Sequence, residues 1–121
     1  MSKISKQAIG SKGEALAKEW FKEQGYHILE QNWRLGRYEL DLIAHKNNVL
    51  HFIEVKTRST HYYGYPETAV DRKKFKHMQK AGTGYLHLHP QWKWIQYDIL
   101  SITLSSEHTA PSYYLCADIY W

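Results

Sequence analysis

The sequence predicts an α/β domain in which helices pack on one β-sheet, with the elements in the order α-β-β-β-α-β-β. Two observations support this prediction. Apolar residues recur at helical spacing in two segments, and the segments around them are short apolar runs bounded by turn residues, as strands are. The 121 residues suffice for one core, so we expect a single domain over residues 1–121, with residues 1–9 flexible.

The composition is that of a folded, mildly basic protein. Apolar residues make up 43% and charged residues 23% of the chain, values that argue against wholesale disorder. The net charge of +4 favours an anionic partner such as nucleic acid, although charge alone identifies none. The single cysteine, Cys116, excludes an internal disulfide and a cluster of thiolate ligands.

No membrane association is expected. Residues 1–7 lack the apolar region of a signal peptide, and no stretch approaches the roughly 20 apolar residues that span a bilayer. A lone cysteine also suits a reducing compartment, so we expect a cytoplasmic protein.

The first predicted helix covers residues 11–24 and has one apolar side. The apolar side chains at helical spacing are Leu16, Ala17, Trp20 and Phe21. Gly25 stands where a C-terminal cap belongs. Glu14 borders the apolar side, so its carboxylate lies either at the edge of the core or faces a site.

Three strands are predicted next, over residues 26–33, 38–44 and 49–56. The segment between the last two ends in Asn47 and Asn48. Because asparagine tolerates the positive φ of a tight turn, these two strands are expected to form a β-hairpin.

Strand alternation brings two carboxylates and an ammonium of this hairpin towards one place. One face of the first strand holds Glu39, Asp41 and Ile43, and one face of the second holds Leu50, Phe52, Glu54 and Lys56. The hairpin sets Asp41 across from Glu54 and Lys56. Buried charges cost several kcal/mol unless they are paired or hold a metal, so this group needs an explanation.

Hydrolysis of a phosphodiester is one explanation. Carboxylate oxygens suit Mg²⁺, which takes one or two of them and keeps several waters. The metal would lower the pKa of a bound water and neutralise charge on the phosphate. Lys56 could orient or deprotonate the attacking water, or stabilise the phosphate in transit. The alternative is a buried ion-pair group that only fixes the register of the hairpin.

The rest of the chain predicts a polar loop, a second helix and two further strands. The loop covers residues 57–66, and Pro66 occupies a favoured position at the start of a helix over residues 67–86. The buried side of this helix is predicted to contain Phe75, Met78, Gly82, Tyr85 and Leu86. Gly82 and Gly84 weaken its end, so it could stop earlier. The last two strands cover residues 94–102 and 113–121.

Several runs of residues occur in the order that is typical of one protein family. They are Gly13-Glu14-Ala15 and residues 39–43, 52–58, 63–64, 66–70, 72–74 and 97–99. Together they cover residues 10–104 and resemble the YraN-like family of uncharacterised bacterial proteins. That family looks like a branch of the restriction-endonuclease-like fold, similar in its core to archaeal Holliday-junction resolvases. The resemblance implies a central mixed sheet flanked by helices.

The resemblance also implies a PD-(D/E)xK nuclease site. Asp41, Glu54 and Lys56 match the motif positions, and Glu14 matches the carboxylate of the first helix. The metal ligands would be Asp41, Glu54 and Glu14. Leu40 stands where the name of the motif has proline, a departure that is common in this fold.

The implied activity is hydrolysis of DNA phosphodiesters with Mg²⁺, or Mn²⁺ as a substitute. Branched or junction DNA is the substrate suggested by the similarity to resolvases, and a homodimer is suggested on the same ground. Tyr38 stands where the family often has glycine, so the entry to the hairpin could differ.

Basic side chains predict a surface that contacts phosphates. The candidates on the second helix are Arg72, Lys73, Lys76 and Lys80, in a stretch without an acidic residue. Arg58 could hold a phosphate at the end of its strand or be solvated there.

Glu39 could support the metal site or pair with Arg37 or Arg58. For Asp98 a structural hydrogen-bonding role is expected.

Two other functions remain open. A non-catalytic nucleic-acid-binding protein would keep the fold and the basic helix, and a structural adaptor would keep the carboxylates only as an ion-pair group. Metal held between Asp41 and Glu54 would favour the nuclease. Salt-sensitive DNA binding without metal dependence would favour the second function, and neither property would favour the third.

Overall fold

The computed structural model describes residues 6–59, 72–104 and 110–119. Its helices and strands occur in the predicted order α-β-β-β-α-β-β. They are α1 (Lys6–Glu23), β1 (His27–Leu35), β2 (Tyr38–Lys46), β3 (Val49–Ser59), α2 (Arg72–Leu88), β4 (Trp94–Leu104) and β5 (Ser112–Cys116). The α/β class predicted from the sequence is therefore confirmed.

The five strands form one mixed sheet whose spatial order, β1-β2-β3-β4-β5, follows the chain. The pairs β1–β2, β2–β3 and β4–β5 are antiparallel. β3 and β4 are parallel and pair along their whole length, from Val49↔Trp94 to Ser59↔Leu104. A parallel pair requires a long crossover connection, and α2 lies within the one between β3 and β4.

A hydrophobic core lies on each face of the sheet, one beneath each helix. The α2 core consists of Leu40, Ile43, Leu50, Phe52, Phe75, Met78, Ala81, Tyr85 and Ile99. The α1 core consists of Ala17, Phe21, Leu42, Ala44, Ile53, Leu100, Ile102 and Leu104. β3 contributes to both cores, through Phe52 on one face and Ile53 on the other. This explains its nearly continuous apolar run.

The predicted hairpin of β2 and β3 is confirmed. Asn47 and Asn48 have φ angles of 52° and 66°, as a two-residue type I′ turn requires. The turn sets the pair Lys46↔Val49 and thereby the register of both strands.

α1 begins at Lys6, five residues before the predicted start, and so includes part of the segment expected to be flexible. Its end is as predicted. Gly25 has a φ of 91°, and the N–H of Tyr26 donates a hydrogen bond of 2.9 Å to the carbonyl of Phe21. These are the features of a Schellman cap.

α2 continues to Leu88, so the two glycines do not end it early. At Gly82 the absence of a side chain is required, because a Cβ there would lie 2.7 Å from the Tyr97 hydroxyl oxygen and 2.9 Å from Cε2 of Phe52. The predicted loop is wrong over residues 57–59, which belong to β3. Its remaining residues, 60–66, and the predicted first turn of the helix lie outside the described residues.

The last strand is shorter than predicted and ends at Cys116. Two residues later, Asp118 has a φ of 56° and its N–H donates a hydrogen bond of 2.9 Å to Oδ1 of Asp98. A contact with β4 therefore turns the chain, although the apolar pattern of the sequence continues.

Gly13 lies where α1 comes closest to the sheet. A Cβ added to Gly13 would lie 2.8 Å from Cβ of Thr57 and 2.9 Å from its Cγ2, in β3. Only a residue without a side chain lets the helix backbone approach so closely. Because Glu14 is the next residue, this contact also sets how near its carboxylate comes to the sheet.

Replacing Gly13 by alanine should therefore lower the free energy of unfolding by about 1–3 kcal/mol, because the new methyl group overpacks the contact with Thr57. Gly10→Ala is the matched control on the same helix. A Cβ at Gly10 meets nothing within 4 Å, so this change should stabilise the protein by up to about 1 kcal/mol. Urea unfolding of the three proteins measures both effects, and effects of the same sign would contradict the close approach.

Candidate active site

β2 and β3 separate at Asp41. Their backbone ladder ends at the pair Leu42↔Ile53, although β2 begins four residues earlier and β3 continues for six more. Just beyond the ladder, Oδ2 of Asp41 accepts a hydrogen bond of 2.7 Å from the backbone N–H of Val55. A side-chain oxygen thus takes the place of a backbone carbonyl, and the sheet opens at this carboxylate.

The opening corrects the predicted faces of β2. Leu40 and Ile43, three residues apart, both pack in the α2 core, whereas Leu42 packs in the α1 core. The prediction that Glu39, Asp41 and Ile43 share one face assumed uniform alternation. An irregularity where β2 leaves β3 shifts the alternation by one residue, which the sequence pattern does not reveal.

β3 keeps its alternation, because its pairing with β4 is uninterrupted. Phe52 packs in the α2 core and Ile53 in the α1 core. Glu54 and Lys56 therefore lie on the α2 face together with Phe52, as predicted.

Glu54 has an ion-pair partner that sequence analysis missed. Nζ of Lys74, in α2, lies 3.3 Å from Oε1 of Glu54, whose side chain is only 12% exposed. Burial raises the pKa of Glu54, and the Lys74 ammonium opposes this rise. The helical spacing contained a signal, because Lys74 precedes the buried Met78 by four residues and Ala81 by seven, which places it beside the buried side of α2.

Burial and the neighbouring carboxylates both disfavour the charged form of Asp41. Burial, followed by the charges of Glu54 and Glu14, raises the pKa of Asp41 from its ordinary 3.8 to about 7. The hydrogen bond from Val55 and the positive charge of Lys74 act in the opposite direction. Asp41 of β2 is thus close enough to interact with one carboxylate of β3 and one of α1.

Glu14 and Asp41 line the same cleft between α1 and the sheet. The cleft has a volume of about 420 Å³, and its walls are formed by Ser11, Glu14, Ala15, Lys18, Glu19, Gln31, Asn32, Asp41 and Leu42. Glu14 therefore faces Asp41 of the hairpin, whereas Glu54 and Lys56, which were expected to converge with them, do not line this cleft. The polar residues Gln31 and Asn32, from β1, were not predicted to take part, because nothing in their spacing indicates that β1 borders the site.

Lys56 lies beside Glu54. Its charge acts against the rise in the pKa of Glu54, alongside the larger effect of Lys74. Asp41 thus interacts with Glu54 and with Glu14, and two lysines lie on the Glu54 side. The carboxylates are supplied by three different elements, and the lysines by β3 and α2.

The remaining predicted site residues surround this centre. Glu39 pairs with Arg34 across the β1–β2 ladder at 3.0 Å, which corrects the predicted partners Arg37 and Arg58. Its charge also raises the pKa of Glu54, after the larger effects of burial and the lysines.

On α2, the exposed predicted cations are Arg72, Lys73, Lys76 and Lys80. Arg58 is half-buried near the end of β3.

Asp98 has the structural role predicted for it. Its Oδ2 lies 2.6 Å from Nδ1 of His51, and its Oδ1 accepts hydrogen bonds from the side chain of Gln96 and the backbone of Asp118. Both His51 and Asp98 are buried. This network ties β3, β4 and the segment after β5 together.

Within the part of the chain that the structure describes, no three His, Cys, Asp or Glu side chains are grouped closely enough to hold a metal by themselves. Neither of the two described helices has the length and apolar character needed to cross a membrane.

The fold and the site define a small α/β protein with interacting carboxylates where its sheet opens. The model of the uncharacterised protein family UPF0102 matches residues 13–102, and the chain belongs to this family. The resemblance to the YraN-like family, which is the family UPF0102, is thereby confirmed. The matched region contains all the carboxylates and lysines of the site.

Relatives match along most of their length. A UPF0102 protein of Chloroherpeton thalassium is 37% identical over 115 residues, which cover 94% of this chain and 89% of that protein. A UPF0102 protein of Dictyoglomus thermophilum is 39% identical over 103 residues, which cover 84% of this chain and 87% of that protein.

The raised pKa of Asp41 predicts a dependence of stability on pH. The folded state binds this proton more tightly than the unfolded chain, so stability falls as the pH rises from about 4 to about 7. Asp41→Asn removes the charge and keeps an oxygen acceptor for Val55. At about pH 8 it should raise the free energy of unfolding by about 1–4 kcal/mol, and near pH 4 the gain should vanish.

The measurement is urea unfolding in EDTA across this pH range. Glu19→Gln is the matched control, because the Glu19 side chain is 65% exposed; it should change stability by less than about 0.5 kcal/mol. An Asp41→Asn protein no more stable than the wild type at about pH 8 would show that the charged form of Asp41 does not lower the stability of the folded state.

Proposed function

We propose that this protein is a Mg²⁺-dependent endonuclease that hydrolyses the phosphodiester bonds of DNA, with branched or junction DNA as its substrate class. The main supporting observation is the pair Asp41 and Glu54, two largely buried carboxylates with raised pKa values at the opening of the sheet. Such a pair lowers stability, and strongly perturbed carboxylates in a cleft are typical of functional sites. Glu14 and Lys56 complete the set that the PD-(D/E)xK motif requires.

A restriction-endonuclease-like core belongs to the same proposal. Support comes from the element order, from the mixed five-stranded sheet and from the motif on the β2–β3 hairpin, with a carboxylate on the preceding helix. The similarity of the family's core to that of archaeal Holliday-junction resolvases supports the branched substrate and a homodimer. The reducing cytoplasm is the proposed compartment.

The donor set fits a hard divalent cation. Mutually repelling carboxylates require positive charge, and hard oxygen donors suit Mg²⁺ or Mn²⁺. Mg²⁺ takes only one or two carboxylates and keeps several waters, so a group of three ligands is not required. Asp41 and Glu54 would hold the cation, and Glu14 would complete its shell directly or through water.

The residues of the chain would share the remaining work. When bound, the cation supplies a water of lowered pKa and neutralises charge on the phosphate. Val55 fixes the orientation of Asp41 through its N–H. Lys74 neutralises Glu54 and so reduces the cost of burying it. Lys56, on the same face as Glu54, would orient the nucleophile or take its proton.

The basic residues would bind the backbone of the substrate. The exposed lysines of α2 are Lys73, Lys76 and Lys80, with Arg72 at the start of the helix and Arg58 in β3. Long cations on one helix side meet phosphates without reading base edges, so this contact would position DNA of any sequence.

One observation favours a second candidate, a non-catalytic nucleic-acid-binding protein. The ion pair between Lys74 and Glu54 satisfies a buried carboxylate without a metal. A protein that had lost catalysis could retain the carboxylates in this way, together with the basic helix.

Cleavage assays test the nuclease directly. The protein should cut a branched DNA slowly with Mg²⁺ or Mn²⁺, and bind it with little turnover in Ca²⁺. Asp41→Asn and Lys56→Ala should each lower the rate at least about 100-fold, because the first removes a ligand charge and the second the group that handles the nucleophile. Lys93→Ala, an exposed lysine outside the site, should keep the rate. Equal cutting in EDTA, or full activity of Asp41→Asn, would show that the assigned roles are wrong.

Metal binding separates the two candidates without reference to activity. Saturating Mn²⁺ should raise the free energy of unfolding of the wild type by about 2–4 kcal/mol, because the ion binds only the folded state. Asp41→Asn and Glu54→Gln should lose this gain, and Glu23→Gln, an exposed carboxylate of α1 outside the cleft, should keep it. Unfolding that is insensitive to Mn²⁺, together with salt-sensitive DNA binding, would identify the non-catalytic protein.

A further inference from the structure

A second polar site lies beside the carboxylates, on the surface formed by the β1–β2 turn and α2. Nη2 of Arg37 and Nζ of Lys80 each donate a hydrogen bond of 3.3 Å to the hydroxyl of Tyr38. Both cations also lie 5.3 Å from the centre of the Tyr38 ring. The ring of His77 packs against it at 5.0 Å. These four residues form the Tyr38 site.

Within residues 6–59, 72–104 and 110–119, no nearby carboxylate balances the positive charge of this site. Among the described residues, no Asp or Glu lies within ion-pair distance of Arg37 or Lys80. Partial burial and the charges of Arg37, Lys73 and Lys80 lower the pKa of His77, so the positive field extends along α2. Two cations held on one oxygen repel each other, and an anion would relieve that repulsion.

The donors of the Tyr38 site suit a phosphate. The Tyr38 hydroxyl accepts two hydrogen bonds and still has its own proton to donate, for which the described residues contain no acceptor. The hydrogen bonds from Arg37 and Lys80 also lower the pKa of Tyr38, which makes that proton a better donor. A guanidinium, an ammonium and a phenol therefore meet at one point, and all three bind phosphate oxygens well.

We infer that the Tyr38 site binds a backbone phosphate of the same nucleic-acid strand whose scissile phosphate lies at Asp41 and Glu54. This inference rests on the proposed function for the class of partner. The elements that build the two sites are the same, since β2 contains both Tyr38 and Asp41, and α2 contains both Lys80 and the Glu54 partner Lys74. Between Lys74 and Lys80 the helix rises about 9 Å, so both sites are within reach of a few nucleotides of one strand.

The surface continues past the Tyr38 site along α2. A shallow hollow of about 320 Å³ is lined by Lys76, Gln79, Lys80 and Thr83. An amide and a hydroxyl are ordinary partners of phosphate and sugar oxygens, so the hollow offers the strand further contacts of the same kind. None of these contacts would reach the edge of a base, so the surface would set the position and direction of the strand without reading its sequence.

Tyr38 is a positioning residue in this arrangement. Its ring packs against the α2 core, which fixes the hydroxyl, and the hydroxyl in turn holds the two flexible cations. Cations held in place before binding lose less side-chain entropy when the phosphate arrives.

The test measures binding of a short fluorescent DNA duplex in EDTA, at salt concentrations from about 50 to 200 mM, so that neither metal nor cleavage contributes. Arg37→Ala and Lys80→Ala should each flatten the log–log slope of affinity against salt by about 0.9, because each removes one phosphate contact. Tyr38→Phe should leave the slope unchanged and weaken binding about 2–10-fold, because it removes hydrogen bonds and no charge. A merely structural role of Tyr38 would instead leave the affinity of the folded protein unchanged.

Lys12→Ala and Lys93→Ala are the matched controls, because both lysines are exposed and lie outside the Tyr38 site. They should leave the slope within about 0.3 of the wild-type value. Equal flattening by the controls would overturn the inference, because net charge alone would then explain binding. The inference would also be overturned if poly-glutamate competed with the labelled duplex as effectively as unlabelled duplex does. An acidic protein would then fit the site equally well.

The result is independent of the nuclease assay. Unchanged slopes in the Arg37 and Lys80 variants, with Mg²⁺-dependent cleavage retained, would overturn the Tyr38 site and leave the proposed function in place. Flattened slopes in a protein that neither binds Mn²⁺ nor cuts DNA would support the Tyr38 site and overturn the nuclease.

Discussion

The hydrogen bond from the backbone of Val55 to the carboxylate of Asp41 is the interaction on which the candidate site depends. It lies where the ladder between β2 and β3 ends. Beyond that point β2 no longer offers a backbone carbonyl to the N–H of Val55, and the Asp41 carboxylate accepts this hydrogen bond instead. The same irregularity sends Leu40 and Leu42 to opposite cores. The opening of the sheet and the fixed orientation of Asp41 therefore have one structural cause.

The carboxylates gathered at this opening work against the stability of the fold. Burial and the neighbouring charges of Glu54 and Glu14 favour a protonated Asp41, and the close approach at Gly13 holds Glu14 near the sheet. Lys74 offsets part of the cost through its ion pair with Glu54. Local conflicts of this kind are expected at functional sites, where the rest of the structure must compensate. Here the compensation comes from two cores that bury both faces of the central strand β3.

α2 links the core, the carboxylates and the surface. Its buried residues cover one face of the sheet, Lys74 at the border of that side reaches Glu54, and Lys80 on the exposed side reaches Tyr38. A helix that packs against the sheet over several turns has little freedom to move or rotate. The spacing between the carboxylates and the surface cations is thus set by the same packing that stabilises the domain.

The sequence by itself determined the element order, the β2–β3 hairpin and the shared face of Glu54 and Lys56, because these follow from local periodicity and from the turn preference of Asn47 and Asn48. It also identified Glu14 and Asp41 as candidates for the site.

Only the tertiary structure decided that β3 and β4 pair in parallel and that the alternation of β2 shifts at Asp41. It likewise decided that Glu39 pairs with Arg34 and not with Arg37. It also decided that Lys74 neutralises Glu54 and that Arg37 and Lys80 meet at Tyr38. These contacts join residues that are distant in the chain or belong to different elements, and the periodicity of a single strand or helix contains no information about which element packs beside it.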